Sequence, residues 1–179
     1  LDGWRHAGAE ITFFSPLEDE APAAGADAVY LPGGYPELHA ERLAGNARFL
    51  VGLRSVAAAG HTVFGECGGY MVLGDTLTDA EGRTHAMAGL LPVETSFAQR
   101  KLHLGYRRAV IADAGPFGPA GAALRGHEFH YATIVAEGLD APLFHVSNAD
   151  GMYLGALGRR RGRVMGSFVH LIDREDSGA

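Results

Sequence analysis

Val63-Phe64-Gly65-Glu66-Cys67-Gly68-Gly69-Tyr70-Met71 decides how this chain is to be read. The preceding His61-Thr62-Val63-Phe64 is apolar and β-branched, as in a short buried strand. The residues from Tyr70 to Leu73 can start a helix. Cys67 therefore stands where a strand turns sharply into a helix, and glycines flank it because larger neighbours would clash. That is the geometry of a nucleophile elbow with a thiol in place of a hydroxyl. A helix beginning just after Cys67 also favours the thiolate electrostatically. A lone cysteine is often only a small buried hydrophobe. Packing alone, however, does not call for glycine at 65, 68 and 69.

The rest of the chain limits what the thiol can serve. A length of 179 residues, with 47% hydrophobic and 20% charged residues, is enough for one domain with a core. The net charge of −6 gives no reason to expect nucleic acid as a partner. No apolar run is long enough to span a membrane, and the start does not read as a signal peptide. A single cysteine forms no internal disulfide, which fits a cytoplasmic protein. Of the 15 basic residues only Lys101 is lysine, and no glycine loop precedes it. The chain thus carries no Walker-type nucleotide site, and any ATP-dependent step needs another domain.

Moving outward from the elbow, residues 1–9 read as the end of a helix stopped at Ala7-Gly8-Ala9. Strand-like runs follow at 11–14 and 28–31, then helical spacing over 42–59 ending at Gly60. This strand–helix–strand rhythm predicts a parallel sheet covered by helices. After Gly74 the chain becomes β-rich, with short runs at 76–79, 93–97, 106–112, 129–135, 143–146 and 164–170. Turn signals such as Gly115-Pro116 and Gly118-Pro119 separate them. Gly158-Arg159-Arg160-Arg161-Gly162-Arg163 reads as a solvated turn. A doubly wound sheet normally opens on a strand, so this chain is expected to be an N-terminally truncated piece of a longer protein.

Cys67 needs a base. His170, at the end of the strand-like Gly166-Ser167-Phe168-Val169, can reach the same sheet edge. A second glycine pair, in Leu31-Pro32-Gly33-Gly34-Tyr35-Pro36-Glu37, follows residues 28–31 and belongs to that edge as well. Its freed N–H groups, with that of Gly68, can face a developing oxyanion. In Gly126-His127-Glu128-Phe129-His130-Tyr131, strand alternation puts Glu128 and His130 on one face and His127 on the other. Two alternating histidines with one glutamate form only a weak metal signal.

Residues 65–74 resemble the nucleophile segment of class I (triad) glutamine amidotransferases. More narrowly, they are similar to the cobyrinate or hydrogenobyrinate a,c-diamide synthase family of cobalamin biosynthesis. The Leu31–Leu38 loop, Gly105-Tyr106-Arg107, Gly126–Tyr131 and Gly166–Leu171 agree in order and spacing. The resemblance implies a flavodoxin-like three-layer α/β fold, with a mainly parallel central sheet and additional antiparallel strands. It implies a glutaminase domain joined in cis to an N-terminal ATPase domain that supplies the ATP and magnesium sites and binds most of the corrinoid. A homodimer is left open. This chain itself needs no cofactor or metal.

In that family a cysteine attacks glutamine, here Cys67, with His170 as base and with N–H groups near Gly34 and Gly68 as the oxyanion site. Two departures stand out. Other class I domains place an acid two residues after the histidine, where this chain has Ile172. Asp173, Glu175 or Glu128 then remains to orient His170, or a dyad suffices, with His127 and His130 as accessory residues. Other domains also place glutamine four residues after the cysteine, where Met71 stands. Cobyric acid synthase and nickel-sirohydrochlorin a,c-diamide synthase carry related domains and are the alternative readings. A non-catalytic or metal-binding module on the same fold, built on His127, Glu128 and His130, is the alternative of another class.

Overall fold

The computed structural model describes residues 1–175. In chain order its elements are α1 (Asp2–His6), β1 (Ala28–Leu31), α2 (Ala40–Gly45), α3 (Ala47–Ala58), β2 (Thr62–Glu66) and α4 (Gly68–Leu73). The β-rich part follows as β3 (Thr76–Thr78), β4 (Thr84–Ala86), β5 (Val93–Ser96), β6 (His103–Ile111), β7 (Ala123–His130) and β8 (Thr133–Glu137). It closes with β9 (Ala141–Asn148), β10 (Tyr153–Arg161), β11 (Val164–Ser167) and β12 (His170–Arg174).

β2 is the axis of the molecule because both its faces are buried, which is why its sequence is a run rather than an alternation. Val63 packs with Val29, Leu31, Phe49, Leu53 and Tyr70 on the side of α3 and α4. Phe64 joins a second core with Ile111, Phe144, Met165 and Val169 on the other side. β1 and β11 flank β2 in parallel register, Val29 and Val164 both opposite Val63. From there the sheet runs β1-β2-β11-β10-β9-β6-β7-β12, and every pairing beyond β11 is antiparallel. A smaller sheet, β4-β3-β5-β8, stands beside it. The α/β architecture is the one expected, with parallel pairing in the large sheet confined to three strands around the elbow. The sheet curls so far that His170, on the last strand in the order, bonds to Glu66 on the second.

Several local expectations resolve differently. Residues 11–14 are in no strand, and Phe14 instead packs against Phe49 of α3. The helical stretch 42–59 is two helices, broken at Asn46, whose ψ of 81° cannot continue a helix and whose amide donates to the Pro16 carbonyl. The run 129–135 divides at Tyr131-Ala132, between one strand of each sheet. The arginine run is not a free turn: Arg159 to Arg161 lie on β10. Arg159 pairs with Glu137, Arg160 donates to the Asp113 and Ala114 carbonyls, and Arg161 pairs with Asp140.

Candidate active site

The elbow forms as the sequence predicts, and its strain is visible. Cys67 holds φ 50° and ψ −103°, one of two non-glycine residues with positive φ among those described. Such a conformation persists only where its surroundings enforce it. The Cys67 N–H donates to the Ser167 carbonyl at 2.8 Å, tying the turn to β11. α4 packs so tightly on β1 that a Cβ on Gly69 would lie 2.1 Å from the Leu31 carbonyl oxygen. The same compression places the two glycine segments side by side: a Cβ on Gly68 would lie 2.7 Å from the Gly34 nitrogen. Among the described residues, neither the Gly34 nor the Gly68 N–H donates to a protein acceptor. Gly68 is the first helical residue, whose N–H has no partner within its helix.

His170 begins β12 beside the elbow. Ser167 Oγ accepts the Val169 N–H at 3.1 Å, bending the chain between β11 and β12. The Cε1 edge of the imidazole points at Gly33, where a Cβ would stand 2.6 Å from Cε1. One face is stacked by His127, with ring centroids 4.9 Å apart and planes 11° apart. Nδ1 lies 3.0 Å from Glu66 Oε1. The His170 pKa is raised to about 10, first by its hydrogen bond with Cys67 and then by that with Glu66, while burial acts the other way. The Cys67 thiol itself is buried and lies 4.0 Å from the Phe129 carbonyl oxygen. The imidazole beside Cys67 is thus held in its protonated form at neutral pH.

The three acids expected near His170 are engaged elsewhere. Glu128 is buried on the opposite face of β7 from His127, 2.5 Å from Arg107 Nε and 3.6 Å from His130 Nε2. Burial acts to raise its pKa, but the neighbouring His130 and Arg107 side chains outweigh it and hold the carboxyl below its usual range. Glu175 accepts from Arg108 at 2.6 Å. Asp173 is exposed on β12, where its carboxylate takes the N–H of Arg174. Ile172, at the position of the usual acid, falls in a register shift between Leu171 and Asp173 and is exposed.

His130 is sealed between His103 and Phe168, with centroids 4.6 and 3.9 Å away, and Nδ1 bonds the Ala132 carbonyl. His127, Glu128 and His130 do not converge, and no metal-binding group of three His, Cys, Asp or Glu is assembled among the described residues. The sequence reading missed Glu66. It is buried, it also accepts the Leu171 N–H at 3.1 Å, and it takes the Tyr30 hydroxyl at 3.1 Å. A charged residue closing a strand buried on both faces needs a partner, and that was the available signal.

The chain matches the family model of the CobB/CobQ-like glutamine amidotransferase domain over residues 1–177. It is 62% identical to a hydrogenobyrinate a,c-diamide synthase of Sinorhizobium sp. over 97% of its length, and 56% identical to one of Rhodobacter capsulatus over 96%. It spans about 39% of the length of these curated relatives. A solved glutamine amidotransferase from Thermotoga maritima superposes with a TM-score of 0.60 at 16% identity, over 94% of this chain and 67% of that one, a likeness of fold. No helix among the described residues is long and apolar enough to cross a membrane. With the family model covering nearly its whole length, the chain belongs to the CobB/CobQ-like glutamine amidotransferase domains.

Proposed function

We propose that this chain is the glutaminase domain of a hydrogenobyrinate a,c-diamide synthase, hydrolysing glutamine through a thioester on Cys67. The observation that carries the reading is the strained elbow, which sets Cys67 beside the His170 imidazole. The names and high identity of the relatives support hydrogenobyrinate over the cobyric acid and nickel-sirohydrochlorin alternatives.

Cys67 Sγ attacks the side-chain amide carbon of glutamine. The proton that left the thiol resides on His170, so the sulfur enters as thiolate. The Gly34 and Gly68 N–H groups face the tetrahedral oxyanion. His170 then protonates the amide nitrogen, the C–N bond breaks and ammonia leaves a γ-glutamyl thioester. Water, deprotonated by the now neutral His170, attacks the thioester; the C–S bond breaks, glutamate departs, and the thiolate–imidazolium pair is restored. The ammonia amidates the a and c carboxylates in the N-terminal ATPase domain, joined in cis. ATP and magnesium act in that domain, and no residue of this chain is assigned to them.

In the full-length protein, Cys67→Ala is expected to abolish glutamine-supported amidation while ammonium salts still support it. Normal glutamine-supported amidation by that variant would overturn the proposal.

A further inference from the structure

We propose that Glu66 is the positioning carboxylate of His170, the third member of a Cys67–His170–Glu66 triad whose acid precedes the nucleophile by one residue. The inference rests on the glutaminase reading above and deepens it.

Three hydrogen bonds converge on this carboxylate, and each does something different. His170 Nδ1 lies 3.0 Å from Oε1. The N–H of Leu171 donates to Oε2 at 3.1 Å, fixing the backbone from which the imidazole hangs. The Tyr30 hydroxyl donates to Oε1 at 3.1 Å from β1. Tyr30 remains a neutral donor, because burial first and the Glu66 charge second push its pKa up. An ionised carboxylate only accepts, so Nδ1 of His170 carries a proton and Nε2 is left for the thiol. Two of the three donors are neutral, so the carboxylate's charge is answered only by the imidazole. Glu66 is therefore free to hold His170 as imidazolium, the form that protonates departing ammonia.

The strand geometry explains why the acid can move. Ser167 lies opposite Glu66 in the β2–β11 ladder, and the Ser167 to Val169 turn brings the chain back over the end of β2. A carboxylate at 66 thus reaches the imidazole at Nδ1. The register shift at Ile172 leaves the usual position of the acid exposed at the sheet edge. The ring is further confined by Gly33 and His127, so the carboxylate needs only to set its tilt and tautomer.

The test compares Glu66→Gln, Glu66→Asp, Asp173→Asn, Glu175→Gln and Cys67→Ala in the full-length protein. Glutamate release gives kcat, KM and their pH dependence, and ammonium-supported amidation reports an intact fold. For Glu66→Gln we expect kcat to fall by about 10²-fold with KM within about 3-fold. The alkaline limb of kcat should also move to lower pH by about one unit or more as the imidazolium loses its carboxylate. Glu66→Asp, which keeps the charge, should recover at least part of both. Asp173→Asn and Glu175→Gln should stay within about 2-fold of the parent. A Glu66→Gln protein with the parent kcat and an unmoved limb would overturn the proposal. Should that variant lose ammonium-supported amidation, Glu66→Asp decides: intact amidation with either Gln-like kcat or an unmoved limb in a slowed enzyme would overturn it. Glutamine hydrolysis by Cys67→Ala would instead overturn the glutaminase reading itself.

Discussion

Two buried acid–histidine pairs lie within a few residues of the same thiol and behave as opposites. In the first, Glu66 faces His170, and its other donors are a phenol and a backbone N–H. In the second, Glu128 faces His130, but Arg107 stands 2.5 Å away and takes its charge. The His170 side chain is 22% exposed and the His130 side chain 6%, so only the first imidazole has a route to a substrate. A buried carboxylate neutralised by arginine cements strands together. One answered only by imidazole tunes a proton. The charge on the acid's other partners separates the two roles, although both pairs look alike in composition.

That contrast can be broken by exchanging stability against activity. Glu128→Ala leaves the Arg107 guanidinium buried without its carboxylate, and should cost about 3–5 kcal/mol of stability by denaturant unfolding. The alkaline limb of the glutaminase profile should stay where it was, since no bond to His170 is lost. A stable variant with a moved limb would erase the distinction between the two pairs.

Gly33→Ala probes the first pair from its open side. The new methyl meets Cε1 of His170 at 2.6 Å and displaces the ring. A misplacement of this order should lower kcat by about 10²-fold while the melting temperature changes little. Unchanged turnover would mean that the tilt of the ring does not matter.

The pH dependence of stability sharpens the same point. His170 titrates near 6.5 unfolded and at about 10 folded. Between those values the folded protein binds the extra proton, so the contribution of His170 to stability is full below pH 6.5 and fades as pH rises to about 10. Chemical unfolding across this range should show the loss in the parent and a smaller one in Glu66→Gln. Tyr30→Phe, which removes one neutral donor from Glu66, should have the smallest effect, about 1 kcal/mol of stability. A larger loss would mean that Tyr30 does more than hold the carboxylate.

Much of this site is legible in sequence because strain leaves a local mark. Gly65, Gly68 and Gly69 around one cysteine announce the elbow, and Gly33-Gly34 announces the loop that the structure places against Gly68. His170 can be read because it closes a strand-like run. Glu66 could not be paired with it by pattern alone: 104 residues separate the two, and their bond depends on how far the sheet curls. The same cause hides the rest. The arginines of β10 look like a solvated turn until Glu137 and Asp140 arrive from distant segments. Residues 11–14 have strand-like composition but no neighbouring strand takes their hydrogen bonds. Local chemistry was readable; partners brought by the antiparallel half of the sheet were not.

A γ-glutamyl group carried on Cys67 during turnover is directly measurable, because Cys67 is the chain's only cysteine. Acid quenching of the full-length protein in the presence of glutamine, followed by peptide mass analysis, should find a γ-glutamyl thioester on Cys67. The adduct should be absent when glutamine is omitted. Steady glutamate release with Cys67 unmodified, or undiminished in Cys67→Ala, would mean that glutamine is hydrolysed without Cys67.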